Sequence, residues 1–163
     1  VLLLSDRVDE WLVANFGEFE ELSLKSIAKG DLDDLDSKED KKKKEKTVKD
    51  YEKVISKAQE ILDNQVKEVK VSSRLSESPS CLVADENELG GNMERIMKSL
   101  GQDVPETKPI LEINPNHPLV MKLKTKIDDD IVKVLFDQAV LSEGGQIKEP
   151  AEFVKRMNKL MLG

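Results

Sequence analysis

The side chains that most often carry catalysis are few in this sequence and do not converge. Its one histidine, His117, lies between Asn116 and Pro118, a setting typical of a turn. A single histidine cannot form a multi-histidine metal site, and a general base needs a partner that the sequence does not indicate. The one cysteine, Cys81, lies in a predicted strand without a basic neighbour, which favours a small buried hydrophobe over a nucleophile. The residues therefore predict no catalytic centre and no metal site.

Composition narrows the range of partners. The net charge of −7 disfavours nucleic acid, because phosphate binding needs a net basic face. Lys41–Lys44 leaves a nucleic-acid-binding module as a weak alternative, but Asp and Glu are interleaved around these lysines. The chain has neither a glycine-rich phosphate loop nor a nucleophile elbow, and its apolar runs are too short to span a membrane. We therefore expect no nucleic-acid or membrane partner, and a reducing, cytoplasmic compartment.

Charge and apolar patterns divide the chain into three parts. Residues 1–30 predict a buried strand at Val1–Leu4, a short helix and a strand within Phe19–Ala28, as in the closing piece of an α/β unit. Residues 31–46 are dominated by charged side chains and predict a solvated linker or the frayed start of a helix. Residues 47–163 carry most of the apolar periodicity and predict the main domain.

The main domain is predicted to belong to the α+β class, with a small three-stranded sheet and packed helices. One apolar stripe predicts a helix from Val48 to Val66. Alternation over Val69–Leu75, a turn and the apolar run Cys81–Ala84 predict a β-hairpin. Ile110–Ile113 is predicted to be the third strand, and a Pro-rich turn leads from it into a short helix.

A helix predicted over Asp85–Leu100 is a candidate binding surface. Its narrow apolar face consists of Leu89, Met93, Ile96, Met97 and Leu100. Methionine side chains are flexible and polarisable, and therefore suit surfaces that accept varied partners. Gly90 and Gly91 weaken the first turns of this helix. Two other interpretations stay open: the face packs on the sheet as core, or it docks one specific helical partner and makes the chain an adaptor.

Two helices predicted at the carboxy-terminal end of the sequence indicate self-association. Ile131–Leu141 has apolar residues at eight of eleven positions, more than one stripe can hold, and Pro150–Leu162 repeats apolar residues at helical spacing. Two such helices from each of two chains can form a four-helix bundle with two-fold symmetry. The alternative is that both helices fold back on the sheet of their own domain. The predicted interface residues are Val132, Leu135, Phe136, Ala139, Val140, Phe153, Met157, Leu160 and Met161.

Several strings of residues, in register, resemble chaperones of the heat-shock protein 90 family, and most closely those of the bacterial type. The strings similar to the end of the family's middle domain are Leu2–Asp6, Asp9–Trp11 and Ser26–Asp31. The strings similar to its carboxy-terminal domain are Ser73–Leu75, Asn92–Met97, Leu111–Pro118, Asp137–Ala139 and Arg156–Asn158. The resemblance covers nearly the whole chain apart from the charged stretch Asp36–Lys46.

The resemblance implies a function for both candidate surfaces. Family members are homodimers held by a carboxy-terminal four-helix bundle, which corresponds to the last two predicted helices. Their amphipathic helix binds partly folded client proteins and corresponds to the face made of Leu89, Met93, Ile96 and Met97. A client-contacting tryptophan of the family corresponds to Trp11.

The resemblance also implies that this chain lacks the family's ATPase. The nucleotide pocket, with its ATP and magnesium, belongs to an amino-terminal domain that precedes the position of Val1. We therefore expect no cofactor in this chain and no ATP hydrolysis by it. Its partners are expected to be a second copy of itself and partly folded client proteins.

Overall fold

The fold is described from a computed structural model, for residues 9–24, 38–85, 96, 97, 99–101 and 107–162. The first range contains helix α1, Asp9–Asn15, and a small hairpin of strands β1, Glu18–Phe19, and β2, Leu22–Ser23. A single strand was predicted within Phe19–Ala28; up to residue 24 the structure has the two short strands of this hairpin, and residues 25–28 lie outside the described residues. The strand predicted at Val1–Leu4 lies outside the described residues.

Helix α2, Lys38–Leu62, begins earlier than predicted and lies against the sheet with its second half. Tyr51, Val54, Ala58 and Leu62 recur at helical spacing and are all buried, whereas no residue from 43 to 50 is. The charged residues from Lys38 onward are thus helical, which agrees with the start of a helix rather than with a linker.

The three-stranded sheet of the predicted α+β fold is confirmed, but the predicted strand order is wrong. Strands β3, Glu68–Val71, and β4, Ser80–Val83, do not pair with each other, because β5, Ile110–Ile113, lies between them. β5 is parallel to β3 and antiparallel to β4. All four residues of β5 are buried, as expected for a central strand.

Strand β3 ends at Val71, earlier than the alternating pattern predicts. The Ser72 hydroxyl accepts hydrogen bonds from the backbone N–H groups of Arg74 and Leu75, both at 3.2 Å. Such a local turn competes with continuation of the strand. The alternating pattern therefore continues to Leu75 although the strand ends at Val71.

Three helices follow the sheet: α3, Pro118–Thr125, α4, Asp129–Ser142, and α5, Pro150–Leu162. His117 is the N-cap of α3, and its Nδ1 accepts the Leu119 N–H at 3.2 Å. Asp128 caps α4 in the same way. Gly144, with φ of 70°, lies in the break between α4 and α5. The predicted positions of all three helices are confirmed.

The core lies between the sheet and helices α2, α3 and α4. Its largest fully buried apolar side chains are Leu62, Leu111, Ile113, Leu123 and Leu135. Burial of each of these side chains stabilises the fold by about 1.5–3 kcal/mol, so this cluster is the main source of stability. Helix α5 packs on the outer side of α4.

Candidate functional site

Helix α4 contributes to the core of its own chain with one face. Val132, Leu135 and Ala139 are each 1% exposed and belong to the central apolar cluster. These three residues were predicted to lie at an interface between chains. The structure corrects that assignment, because a side chain already covered by its own sheet has no surface to offer a second chain.

The remaining predicted interface residues lie closer to the surface. Phe136, Val140, Phe153, Met157 and Leu160 are half-buried, and Met161 is 70% exposed. Phe136 and Leu160 also touch the edge of the core. None of the residues of α5, all of which the structure describes, is fully buried.

Helices α4 and α5 expose further apolar side chains that the sequence analysis did not select. Val154 is 54% exposed and lies seven residues, or about two turns, before Met161 on the same side of α5. Leu141 and Leu162 are also exposed. We call five accessible apolar side chains of this helix pair the outer stripe: Phe136 and Val140 on α4, and Val154, Met157 and Met161 on α5.

Two ion pairs join α5 to α4, and the sequence pattern predicts neither. Arg156 Nη2 lies 2.8 Å from Asp137 Oδ2, and these side chains are only 13% and 11% exposed. Lys159 also pairs with Asp130, but its side chain is 70% exposed. The hydrogen bond from Lys159 lowers the pKa of Asp130, and the same bond raises the pKa of Lys159. The only sequence signal was a lone aspartate, Asp137, within an apolar helix.

The predicted client-binding residues are only partly described. Trp11 lies in α1, and Leu89 and Met93 lie outside the described residues. Ile96 and Met97 are helical and half-buried. The helix ends as predicted: the Leu100 N–H bonds to the Ile96 and Met97 carbonyls, and Gly101 follows with φ of 75°.

Helix α1 and the β1–β2 hairpin expose more apolar side chains than the sequence pattern indicates. Leu12 on α1, Phe16 directly after it, and Phe19 and Leu22 on the hairpin are each at least half exposed. The spacing of apolar residues indicates a helix and a strand in this region. It does not show which apolar side chains of these elements remain exposed. These four residues follow Trp11 within eleven positions of the sequence.

The single cysteine is poorly suited to nucleophilic chemistry. Burial raises the pKa of the Cys81 thiol from 9.0 to about 12, and the nearby Glu112 carboxylate adds to this shift. A thiolate, rather than a thiol, is the reactive form. The structure thus agrees with the interpretation of Cys81 as a strand residue.

Over the described ranges, the acidic, histidine and cysteine side chains form no group of three that could hold a metal ion. None of the described helices is long and apolar enough to cross a membrane.

A buried polar cluster in the sheet was also missed. Glu112 on the central strand accepts hydrogen bonds from Ser72 Oγ at 2.7 Å, Arg74 Nε at 3.0 Å and Arg74 Nη2 at 2.9 Å. A buried carboxylate needs such partners. These contacts attach the loop that follows β3 to strand β5. The cluster therefore has a structural role in the sheet. A glutamate within the apolar strand Ile110–Ile113 was the available signal.

Comparison with known proteins identifies the family. The family model described as Hsp90 protein matches residues 1–163, the whole chain. The chain belongs to the Hsp90 family. This confirms the resemblance seen in the sequence strings.

Similar bacterial members of the Hsp90 family carry the name Chaperone protein HtpG. The chain is 80% identical to that of Ruthia magnifica over 161 residues, 78% to that of Vesicomyosocius okutanii over 161 residues, and 52% to that of Nitrosomonas europaea over 166 residues. Each match covers 99% of this chain and 26% of the relative. The chain thus spans about a quarter of the length of the curated Hsp90 relatives that it matches.

Proposed function

We propose that this chain holds two copies of an Hsp90-type chaperone together and presents apolar contacts to partly folded client proteins. Dimerisation is assigned to α4 and α5, and client binding to Trp11 and the helix that includes Ile96 and Met97. Residues 1–30 and 47–163 are proposed as the end of a middle domain and a dimerisation domain, in a cytoplasmic protein. ATP and magnesium chemistry is assigned to the part of the longer relatives outside the matched quarter.

The observation that carries the dimer proposal is the uncovered outer stripe. Val154 and Met161 are exposed although their helix is ordered against α4, and Met157 between them is half-buried. Contiguous apolar patches on a soluble surface mark interaction sites. The same stripe on a second copy is self-complementary under two-fold symmetry, and an interface of ordinary size buries about 800 Å² on each partner.

A charge in the outer stripe tests the dimer. Val154→Glu should weaken self-association by at least about tenfold, because dimerisation would bury an unpaired carboxylate. Val48→Glu is the matched control, since Val48 is an exposed valine of α2. Sedimentation velocity over the micromolar range measures both variants and the unsubstituted chain. A chain that stays monomeric at these concentrations would show the dimer proposal to be wrong.

Client binding is supported by apolar residues at helix surfaces. Ile96 and Met97 are half-buried and Leu100, which ends the same helical turn, is 72% exposed. Flexible methionine contacts can adapt to clients of different sequence. The half-burial of Ile96 and Met97 also fits a partial contribution to the core, so the experiment must separate binding from folding.

Met97→Lys should reduce the ability of the chain to prevent aggregation of a heat-unfolded test enzyme, while sparing dimerisation. Met121→Lys is the matched control, because Met121 is a 54% exposed methionine on α3. Light scattering measures aggregation, and circular dichroism checks the fold of both variants. Equal loss in the two variants, or none in Met97→Lys, would contradict the assignment. A specific adaptor would instead ignore unrelated unfolded proteins.

A further inference from the structure

We infer that the Asp137–Arg156 ion pair is a positioning pair that selects the two-fold dimer over other associations of the α4–α5 surface. The inference rests on the proposed dimerisation and adds a specificity-determining contact to it. Neither residue belongs to the outer stripe. Both act by fixing how α5 lies on α4, and therefore where the outer stripe is presented.

The pair lies in the seam between the two helices. Asp137 is 8% exposed as a residue although it is charged, and its side chain receives the Arg156 guanidinium across 19 residues of sequence. Arg156 Nε is buried as well and has no hydrogen-bond partner among the described residues. The second ion pair of the seam, Lys159 with Asp130, is more exposed, because these side chains are 70% and 25% accessible to water.

Such a pair is a poor source of stability. Removing two charges from water costs about as much as their attraction returns, and the unpaired Arg156 Nε adds a further cost. Replacing a buried ion pair with apolar residues of similar size is often neutral or stabilising. The best-attested use of a buried polar contact between helices is to set register and oligomeric state.

Helix α5 needs such a register signal. None of its residues is fully buried, so apolar packing alone holds it weakly in place. Its apolar side chains, from Phe153 to Leu162, would also pack on α4 after a shift of one turn, about 5.4 Å. A shifted α5 would change the positions of Val154 and Met161 relative to Phe136 and Val140, and would offer a different surface to other chains. The charged contact penalises that shift, because it would leave the buried Asp137 carboxylate unpaired.

The double variant Asp137→Leu, Arg156→Met tests the inference. We expect a melting temperature equal to or above that of the unsubstituted chain, together with loss of the single dimeric species. Native mass spectrometry and sedimentation velocity should then show a mixture of monomer, dimer and larger species. Lys159→Met is the matched control on the same helix and should remain a single dimer. The single variant Arg156→Lys keeps Asp137 and the positive charge, and should remain predominantly dimeric.

Each other outcome is decisive. A double variant that forms one dimer with an unchanged dissociation constant would overturn the inference, and so would one that fails to fold by circular dichroism, because the pair would then supply stability. An unsubstituted chain that is monomeric would instead refute the proposed dimerisation, so the two failures are distinguishable.

Discussion

At the scale of single residues, Tyr51 connects α2 to the turn that precedes α3. Its ring is 3% exposed, and its hydroxyl donates a hydrogen bond to the Pro115 carbonyl at 2.7 Å. The Lys124 ammonium lies 4.8 Å from the ring centroid. These contacts hold α3 against the second half of α2.

Tyr51→Phe should lower the free energy of unfolding by about 1 kcal/mol, because the Pro115 carbonyl loses its partner in a partly buried site. The effect should depend on pH. Burial, and then the nearby Asp50 carboxylate, raise the pKa of Tyr51 in the folded chain. A raised pKa means that the folded state holds the proton more tightly, so its contribution is complete below about pH 10 and is lost as the pH rises through the folded pKa.

Urea unfolding of the unsubstituted chain and of Tyr51→Phe, at about pH 8 and about pH 11, measures the difference in their free energies of unfolding. The gap between the two proteins should narrow at the higher pH, and lysine titration is common to both. A constant gap would contradict the assignment of the alkaline loss to Tyr51.

At the scale of elements, the β1–β2 hairpin has an unfavourable turn sequence. Glu18 pairs with Ser23 and Phe19 with Leu22, which leaves a two-residue turn at Glu20 and Glu21. Both have positive φ, 49° and 63°, as a type I′ turn requires. Left-handed backbone costs a non-glycine residue roughly 1–2 kcal/mol, and Asn-Gly is the sequence that suits this turn.

Replacing Glu20-Glu21 with Asn-Gly should therefore stabilise the hairpin. The expected result is slower amide hydrogen exchange at Phe19 and Leu22, whose backbones pair across it. Glu20→Gln with Glu21→Gln is the control, because it removes both charges and keeps the strained backbone. If the control slows exchange equally, charge repulsion rather than φ would be the cause.

The elements of the main domain could be read from the sequence where local signals suffice. Helix α4 begins after its N-cap Asp128, and α5 begins at Pro150. Both residue types are typical of helix starts. The order of the strands could not be read, because the β3–β5 pairing is set by contacts between distant residues. The lone aspartate Asp137 signalled a special position, but its partner Arg156 lies 19 residues away.

The candidate site shows the same limit. Apolar periodicity identified α4 and α5 as helices with apolar faces. It could not show which of their side chains pack in the core of their own chain and which remain exposed. Leu135 and Ala139 face their own sheet, whereas Val154, which was not selected, is exposed. Only the packed tertiary structure separates a core residue from an interface candidate.

At the scale of the whole molecule, the core closes within one chain, whereas the outer stripe stays uncovered. Leu135 is 1% exposed in the core cluster, and Val154 is 54% exposed on α5. If the proposed dimer forms, stability has two separable sources: burial inside each chain, which is independent of concentration, and burial between chains, which follows mass action. Substitutions at these two positions should affect thermal unfolding in different ways.

The melting temperature of the unsubstituted chain should rise by about 3–6 °C when its concentration is raised about a hundredfold, because only the folded state dimerises. Leu135→Ala should lower the melting temperature at every concentration, since a buried Leu→Ala change costs about 2–5 kcal/mol, and should keep the concentration dependence. Val154→Glu should reduce the concentration dependence and lower the melting temperature toward that of the monomer. Differential scanning calorimetry over that range measures all three proteins. If the melting temperature of the unsubstituted chain does not change with concentration, the interface contributes nothing to stability, and α4 and α5 serve only their own chain.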